Sequence, residues 1–158
     1  MSFKENYSSR NFWVQTGENY PHYSDANYII SNSVIGAFQS LMAHYRRQYQ
    51  NPVVAVTGSN GKTIVKEWLY FLLKQSTSIV RSPRSYNSQL GVPLSLMLLD
   101  KHFSCAVIEA GISEVGEMER LQTMIQPTVG VFTNIGDAHQ QHFASMDQKI
   151  HEKKQRIL

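Results

Sequence analysis

Residues 57 to 63 read Thr-Gly-Ser-Asn-Gly-Lys-Thr, directly after the β-branched run Val53-Val54-Ala55-Val56. These residue types in this order describe a cradle for phosphate. Gly58 and Gly61 let the backbone turn tightly enough to aim the N–H groups of Ser59 and Asn60 inward, toward the positive end of a helix starting near Thr63. The natural guest is a nucleoside triphosphate. Lys62 would reach its outer phosphates as a point charge, and the Thr63 hydroxyl is placed to ligate the accompanying Mg²⁺. The loop is a variant form, because Val56 stands where the pattern G-x-x-x-x-G-K-[ST] has its first glycine. A plain strand-to-helix turn is the competing reading; it leaves the Lys-Thr pair and the apolar run unexplained.

Further polar groups follow later strands. Glu109 ends the apolar run Ala106-Val107-Ile108, so its carboxylate is expected at a strand tip facing the loop, where it suits a hard cation. A helix N-cap partner or a surface ion pair would account for it equally well. Asn134 and His139 follow the run Val129-Gly130-Val131-Phe132. His139 can complete a second metal site, although a hydrogen-bonded loop histidine is the plainer reading of that residue taken alone.

The elements that must position these groups alternate from Pro52 onward. Strands are expected at 53–56, 78–81, 106–109 and 129–133, with helices after the loop to about Leu73 and near 92–99, 116–125 and 146–158. That order predicts an α/β fold with a mostly parallel sheet flanked by helices, and ligands at the carboxyl ends of the strands. Residues 1–50 differ: short strands at 12–15 and 27–30 precede a helix in which Val34, Phe38, Leu41, Met42 and Tyr45 share one face, with Ser33 as its N-cap. That face reads as core packing.

Composition limits the classes. With 42% hydrophobic and 17% charged residues over 158 positions, the chain has ordinary globular composition. Its one cysteine, Cys105, rules out an internal disulfide framework and reads as a small buried hydrophobe. The net charge of +3 is dispersed, apart from Arg46-Arg47, Arg81 with Arg84, and the group from Lys149 to Arg156, so it argues poorly for nucleic acid. No apolar stretch long enough for a membrane span or a signal peptide is visible, which predicts a cytoplasmic protein.

Taken in order, Thr-Gly-Ser-Asn-Gly-Lys-Thr, Ser-Tyr-Asn-Ser-Gln-Leu-Gly-Val-Pro-Leu, Val-Ile-Glu-Ala-Gly and Thr-Asn-Ile-Gly-Asp-Ala-His resemble the central domain of the Mur ligases, from about Pro52 to Leu158. Within that family the chain looks most like the ATP-dependent ligase that adds D-alanyl-D-alanine to UDP-N-acetylmuramoyl-tripeptide in peptidoglycan synthesis. Gly-Lys-Thr-Ile-Val-Lys-Glu-Trp-Leu and Arg-Ser-Pro-Arg-Ser-Tyr-Asn-Ser further resemble the form joined to an alanine racemase in Bacteroidetes. The resemblance implies a P-loop NTPase-like domain, ATP and Mg²⁺ as cofactors, and UDP-MurNAc-peptide and D-Ala-D-Ala as substrates, with no nucleic acid and no membrane insertion.

Residue by residue, it implies that Lys62 holds the β and γ phosphates, Thr63 the first Mg²⁺, and Glu109 with His139 the second. Asn134 would lie near the adenine, and Asn87 and Ser88 at the phosphate and substrate face, where Ser88 replaces a family asparagine. Lys153, fourteen residues after His139, matches the family lysine that CO₂ carbamoylates; Lys149 and Lys154 compete for that place, and a basic solvated helix accounts for all three. The implied organisation is the end of an N-terminal substrate-binding domain in 1–50 and a truncated ATP-binding domain in 51–158, the rest of a three-domain ligase being absent and part of the core lying exposed or covered by a partner copy. Such a fragment would keep the phosphate site without ligation. Alternatives are another Mur ligase, a folylpolyglutamate synthetase-like ligase, a P-loop phosphotransferase, and a non-catalytic module that uses the fold to bind a partner.

Overall fold

The computed structural model describes residues 11–112, 114, 116–134 and 136. His139 and Lys153, with Lys149 and Lys154, lie outside them. The chain divides into two compact units, Met1–Phe38 and Gln39–Leu158.

In the first unit, β1 (Asn11–Gln15) and β2 (Asn27–Ser31) pair in parallel, Phe12 opposite Tyr28. Phe12 stacks on Tyr28 with ring centroids 5.5 Å apart, and the Trp13 indole N–H donates to Ser31 Oγ at 3.0 Å. The helix α1 (Val34–Gln48) opens at Ser33, whose Oγ accepts from the Gly36 N–H at 3.1 Å, as the N-cap reading expects.

The second unit carries β3 (Val53–Thr57), α2 (Lys62–Leu73), β4 (Ile79–Arg81), α3 (Gly91–Leu96), β5 (Cys105–Glu109), α4 (Glu117–Ile125) and β6 (Val129–Phe132). All four strands are parallel, in the order β4-β5-β3-β6, so the chain crosses from β3 over β5 to β4 by way of α2. Strand alternation splits the core in two. Val56, Ile79 and Val107 face α2 and pack with Val65, Leu69 and Leu73, while Ala55, Ala106 and Ile108 are fully buried on the opposite side, where α3 touches β5.

Register then fixes the site. Val56 lies opposite Glu109 and Thr57 opposite Phe132, so the turn after β3 emerges between the ends of β5 and β6.

The buried stripe of α1 is rotated from the one its apolar spacing predicts. Met42, Ala43 and Arg46 are buried, whereas Leu41 and Tyr45 are exposed. Arg46 takes the inner position because its guanidinium finds three carbonyls: Ile125 O at 2.7 Å, Gln126 O at 2.7 Å and Tyr49 O at 2.6 Å. Cys105 is only partly buried, at the outer end of the sheet-and-α2 core.

Candidate functional site

The loop between β3 and α2 owes its shape to two glycines and one neighbouring segment. Gly58 has φ +140° and Gly61 φ +79°, and Gly61 is the N-cap of α2, its carbonyl accepting from the Val65 N–H at 2.9 Å. The segment after β6 clamps the loop from the side. Ser59 N–H donates to Asn134 O at 2.9 Å, Asn60 N–H to Asn134 Oδ1 at 2.9 Å, Ser59 Oγ to Gly136 O at 3.1 Å, and Thr133 Oγ1 to Asn60 O at 2.6 Å. Asn134 therefore touches the loop through both its backbone and its side chain, and it takes the Ser59 and Asn60 N–H groups that the sequence reading aims inward at phosphate.

Lys62 begins α2 and folds its ammonium over the loop, donating to Gly58 O at 3.0 Å and Ser59 O at 3.3 Å. Burial lowers its pKa from the ordinary lysine value, and the nearby Glu109 carboxylate partly opposes that. A cation held this way gains from an anion in the cradle.

Glu109 closes the site from β5. Its side chain is 1% exposed, and its Oε1 accepts from Thr63 Oγ1 at 3.1 Å and from Asn87 Nδ2 at 2.7 Å. Its backbone N–H donates to Ser82 Oγ at 3.0 Å, and Asn87 is drawn in by its carbonyl, which accepts the Gly111 N–H at 2.8 Å. Lys62, Thr63, Asn87 and Glu109 thus line one open cleft of about 330 Å³ with Ser59, Asn60, Gly61 and Ile64. Ser88 is exposed, and its Oγ accepts from the Gly91 N–H at 3.2 Å at the start of α3.

The donor set suits one Mg²⁺ shared by Thr63 and Glu109, where the resemblance assigns these residues to two separate ions. Glu109 Oε2 is buried without a hydrogen-bond partner, and Oε1 stands 3.1 Å from the Thr63 hydroxyl. That separation is about the 3 Å between neighbouring oxygens of an octahedral ion with bonds near 2.1 Å. Among the described residues no cluster of three His, Cys, Asp or Glu converges, and Thr63 with Glu109 are the oxygen donors that would hold the ion.

One participant was missed from the sequence. Lys66, fully buried, sits 3.6 Å from Glu109 Oε2. Its spacing of three from Thr63 puts it on the same helix face, a signal that was available.

A parallel sheet with a glycine loop at the carboxyl end of its central strand, a lysine and threonine at the following helix and a carboxylate from the next strand define a nucleotide-binding α/β domain. Residues 56–158 match the Mur ligase middle domain, and the chain belongs to that family. It is similar to the UDP-N-acetylmuramoyl-tripeptide–D-alanyl-D-alanine ligase of Borreliella burgdorferi, 34% identical over 126 residues, which are 80% of this chain and 27% of that protein. The Escherichia coli ligase of the same name is 36% identical over 110 residues, 70% of this chain and 24% of that one. The chain therefore spans about a quarter of the length of these relatives.

Among solved structures, MurF from Acinetobacter baumannii superimposes with a TM-score of 0.84 at 27% identity, covering 100% of this chain and 41% of that one. A MurF ligase from Thermotoga maritima in complex with ADP gives 0.75 at 30% identity, covering 85% of this chain and 31% of its own. The fold expected from the strand and helix alternation is the one found.

Proposed function

We propose that this chain carries the ATP- and Mg²⁺-binding part of a cytoplasmic ligase that joins D-alanyl-D-alanine to UDP-N-acetylmuramoyl-tripeptide through an acyl phosphate. The observation that carries the reading is the meeting of Thr63 at 3.1 Å and Asn87 at 2.7 Å on one Glu109 carboxylate oxygen, beside the loop that holds Lys62. The names of the relatives supply the substrate pair.

In this reading the N–H groups at the α2 N-terminus bind the phosphates, since those of Ser59 and Asn60 are engaged by Asn134, and the Lys62 ammonium exchanges its two loop carbonyls for phosphate oxygens. The substrate carboxylate attacks the γ-phosphorus, ADP leaves, and the dipeptide amine then displaces phosphate to form the amide. Mg²⁺ held by Thr63 and Glu109 would neutralise charge on the transferring group. The chain's own contribution is to hold the attacking and leaving oxygens in line and keep charge balanced. Asn87 donates to Glu109 and keeps the carboxylate turned toward Thr63. Roles for His139 as a further metal ligand, Lys153 as a carbamoylated lysine, Asn134 near the adenine and Ser88 at the substrate face complete the proposal.

The test is phosphate release by the intact protein with Mg-ATP, UDP-MurNAc-tripeptide and D-Ala-D-Ala, followed by product mass. Amide product that depends on both substrates and disappears in Lys62→Ala and Glu109→Gln supports the ligase. Phosphoryl transfer to the substrate without amide formation would reassign the site to a phosphotransferase.

A further inference from the structure

Behind the cleft a line of charges runs from the cation ligand Glu109 through three groups that the phosphate and cation roles leave unused. Arg81 Nε on β4 donates to Glu67 Oε2 at 2.9 Å, Glu67 Oε1 lies 3.2 Å from Lys66 Nζ, and Lys66 Nζ lies 3.6 Å from Glu109 Oε2. Signs alternate along the whole row. Its outer end is at the surface, with Arg81 and Glu67 side chains 32% and 40% exposed, while Lys66 and Glu109 are 0% and 1% exposed. Arg81 is further fixed by lying over the Tyr70 ring, 3.7 Å from its centroid.

Lys66 has a second task. Its ammonium donates to the carbonyl of Arg84, a residue in left-handed backbone (φ +47°). That conformation is unfavourable for a residue with a β-carbon, and a buried donor aimed at the carbonyl holds it in place. The next residue, Ser85, brings its hydroxyl to 3.3 Å from Thr63 Oγ1. One buried cation therefore ties the carboxylate of β5 to the loop that flanks the Thr63 side of the cleft.

A carboxylate as buried as Glu109 is costly to hold without a nearby positive charge. When the divalent cation is bound it supplies part of that charge; Lys66 supplies it at all times. We propose that Lys66 is a positioning residue, the internal counter-cation that holds Glu109 in its cation-ready orientation and keeps the site folded before the divalent ion arrives. This rests on the reading of Glu109 as a cation ligand. Lys66 itself, fully enclosed, does not touch the nucleotide.

The experiment is a double-mutant cycle on the intact protein. Thermal unfolding of wild type, Lys66→Met, Glu109→Gln and the double variant is measured in EDTA and again with Mn²⁺ plus a non-hydrolysable ATP analogue; Mn²⁺ binding is followed by its electron paramagnetic resonance. Lys66→Met should lower Tm by roughly 10 °C in EDTA, since it strands a buried charge. On the Glu109→Gln background the same change should cost less than half as much. Mn²⁺ with the analogue should close at least half of the gap between Lys66→Met and wild type.

Equal losses on both backgrounds, undiminished by Mn²⁺, would reduce Lys66 to packing and overturn the proposal. If Lys66→Met does not fold, the comparison of Glu109→Gln with the double variant decides: similar Tm values support it, and a further drop near 10 °C overturns it. The two readings fail differently. Coupling in EDTA without Mn²⁺ binding by wild type would reject Glu109 as a cation ligand, and the proposal with it, whereas Mn²⁺ binding without coupling rejects only the part given to Lys66.

Discussion

Gly58 lies so close to Thr133 that a β-carbon at position 58 would stand 2.0 Å from Thr133 Oγ1, and 3.0 Å from the backbone nitrogen of Asn134. The glycine loop after β3 and the segment after β6 are thus packed without room for a single methyl. Gly61 differs: it has φ +79° but nothing within 4 Å of the same added atom.

These two glycines should therefore separate. Gly58→Ala combines overpacking with an unfavourable φ and is expected to cost about 2–4 kcal/mol, together with nucleotide binding. Gly61→Ala meets only the conformational penalty and should cost about 1 kcal/mol. Urea unfolding and nucleotide titration of both variants check this; equal losses would show that the Thr133 contact yields freely.

Arg46 makes a prediction about stability alone. Its fork serves carbonyls of Tyr49, Ile125 and Gln126, the last two at the C-terminal end of α4, where Gln126 turns left-handed at φ +43°. Burial lowers its pKa from the ordinary arginine value, with Tyr49 opposing. A lysine cannot present three donors in that plane. Arg46→Lys should lose about 2–3 kcal/mol in urea unfolding while the folded protein binds nucleotide as before.

The same residue shows where the sequence was legible and where it was not. The run Val53 to Val56 and the glycines after it announce strand and loop, because β-branched residues and positive-φ sites are local requirements. Ser33 was readable as a cap for the same reason. Arg46 was grouped with surface charge, since its burial depends on carbonyls 79 and 80 positions away. Apolar spacing places Leu41 and Tyr45 inward, yet both are exposed while Arg46 holds the inner face. Glu109 taken alone was ambiguous; the register that sets it opposite Val56, beside Thr63, is a tertiary fact. Lys66 is hard to read as a site residue from the sequence, because an isolated helical lysine ordinarily points to water.

Asn134 offers a test in which the sign distinguishes two effects. Its Oδ1 accepts from the Asn60 N–H at 2.9 Å. Asn134→Ala removes that restraint and should weaken Mg-ATP binding about tenfold, roughly the value of one hydrogen bond. Asn134→Asp keeps the acceptor but sets a negative charge against the glycine loop. It should bind more weakly than the alanine variant at low salt, and added salt should narrow the difference. Calorimetric titration at two ionic strengths reads both; an aspartate variant that binds like wild type would show that the Asn134–Asn60 contact does not shape the nucleotide site.

Lys62 links affinity to pH. Because burial lowers its folded-state pKa, folding disfavours its charged form. Well below that pKa both states are protonated and the penalty is present in full. Between the lowered value and the ordinary lysine value near 10.4, the unfolded chain holds more protons than the folded one, so stability rises with pH. Lys62→Met lacks this dependence, so wild-type Tm relative to the variant should climb from pH 7 to pH 10 in the absence of nucleotide. With Mg-ATP present, phosphate oxygens favour the charged ammonium, and the climb should flatten or reverse while the variant loses nucleotide affinity by about a hundredfold. Thermal unfolding across that pH range, with and without Mg-ATP, measures both slopes; parallel curves for the two proteins would mean that Lys62 is not held in the partly buried position from which it would meet the phosphates.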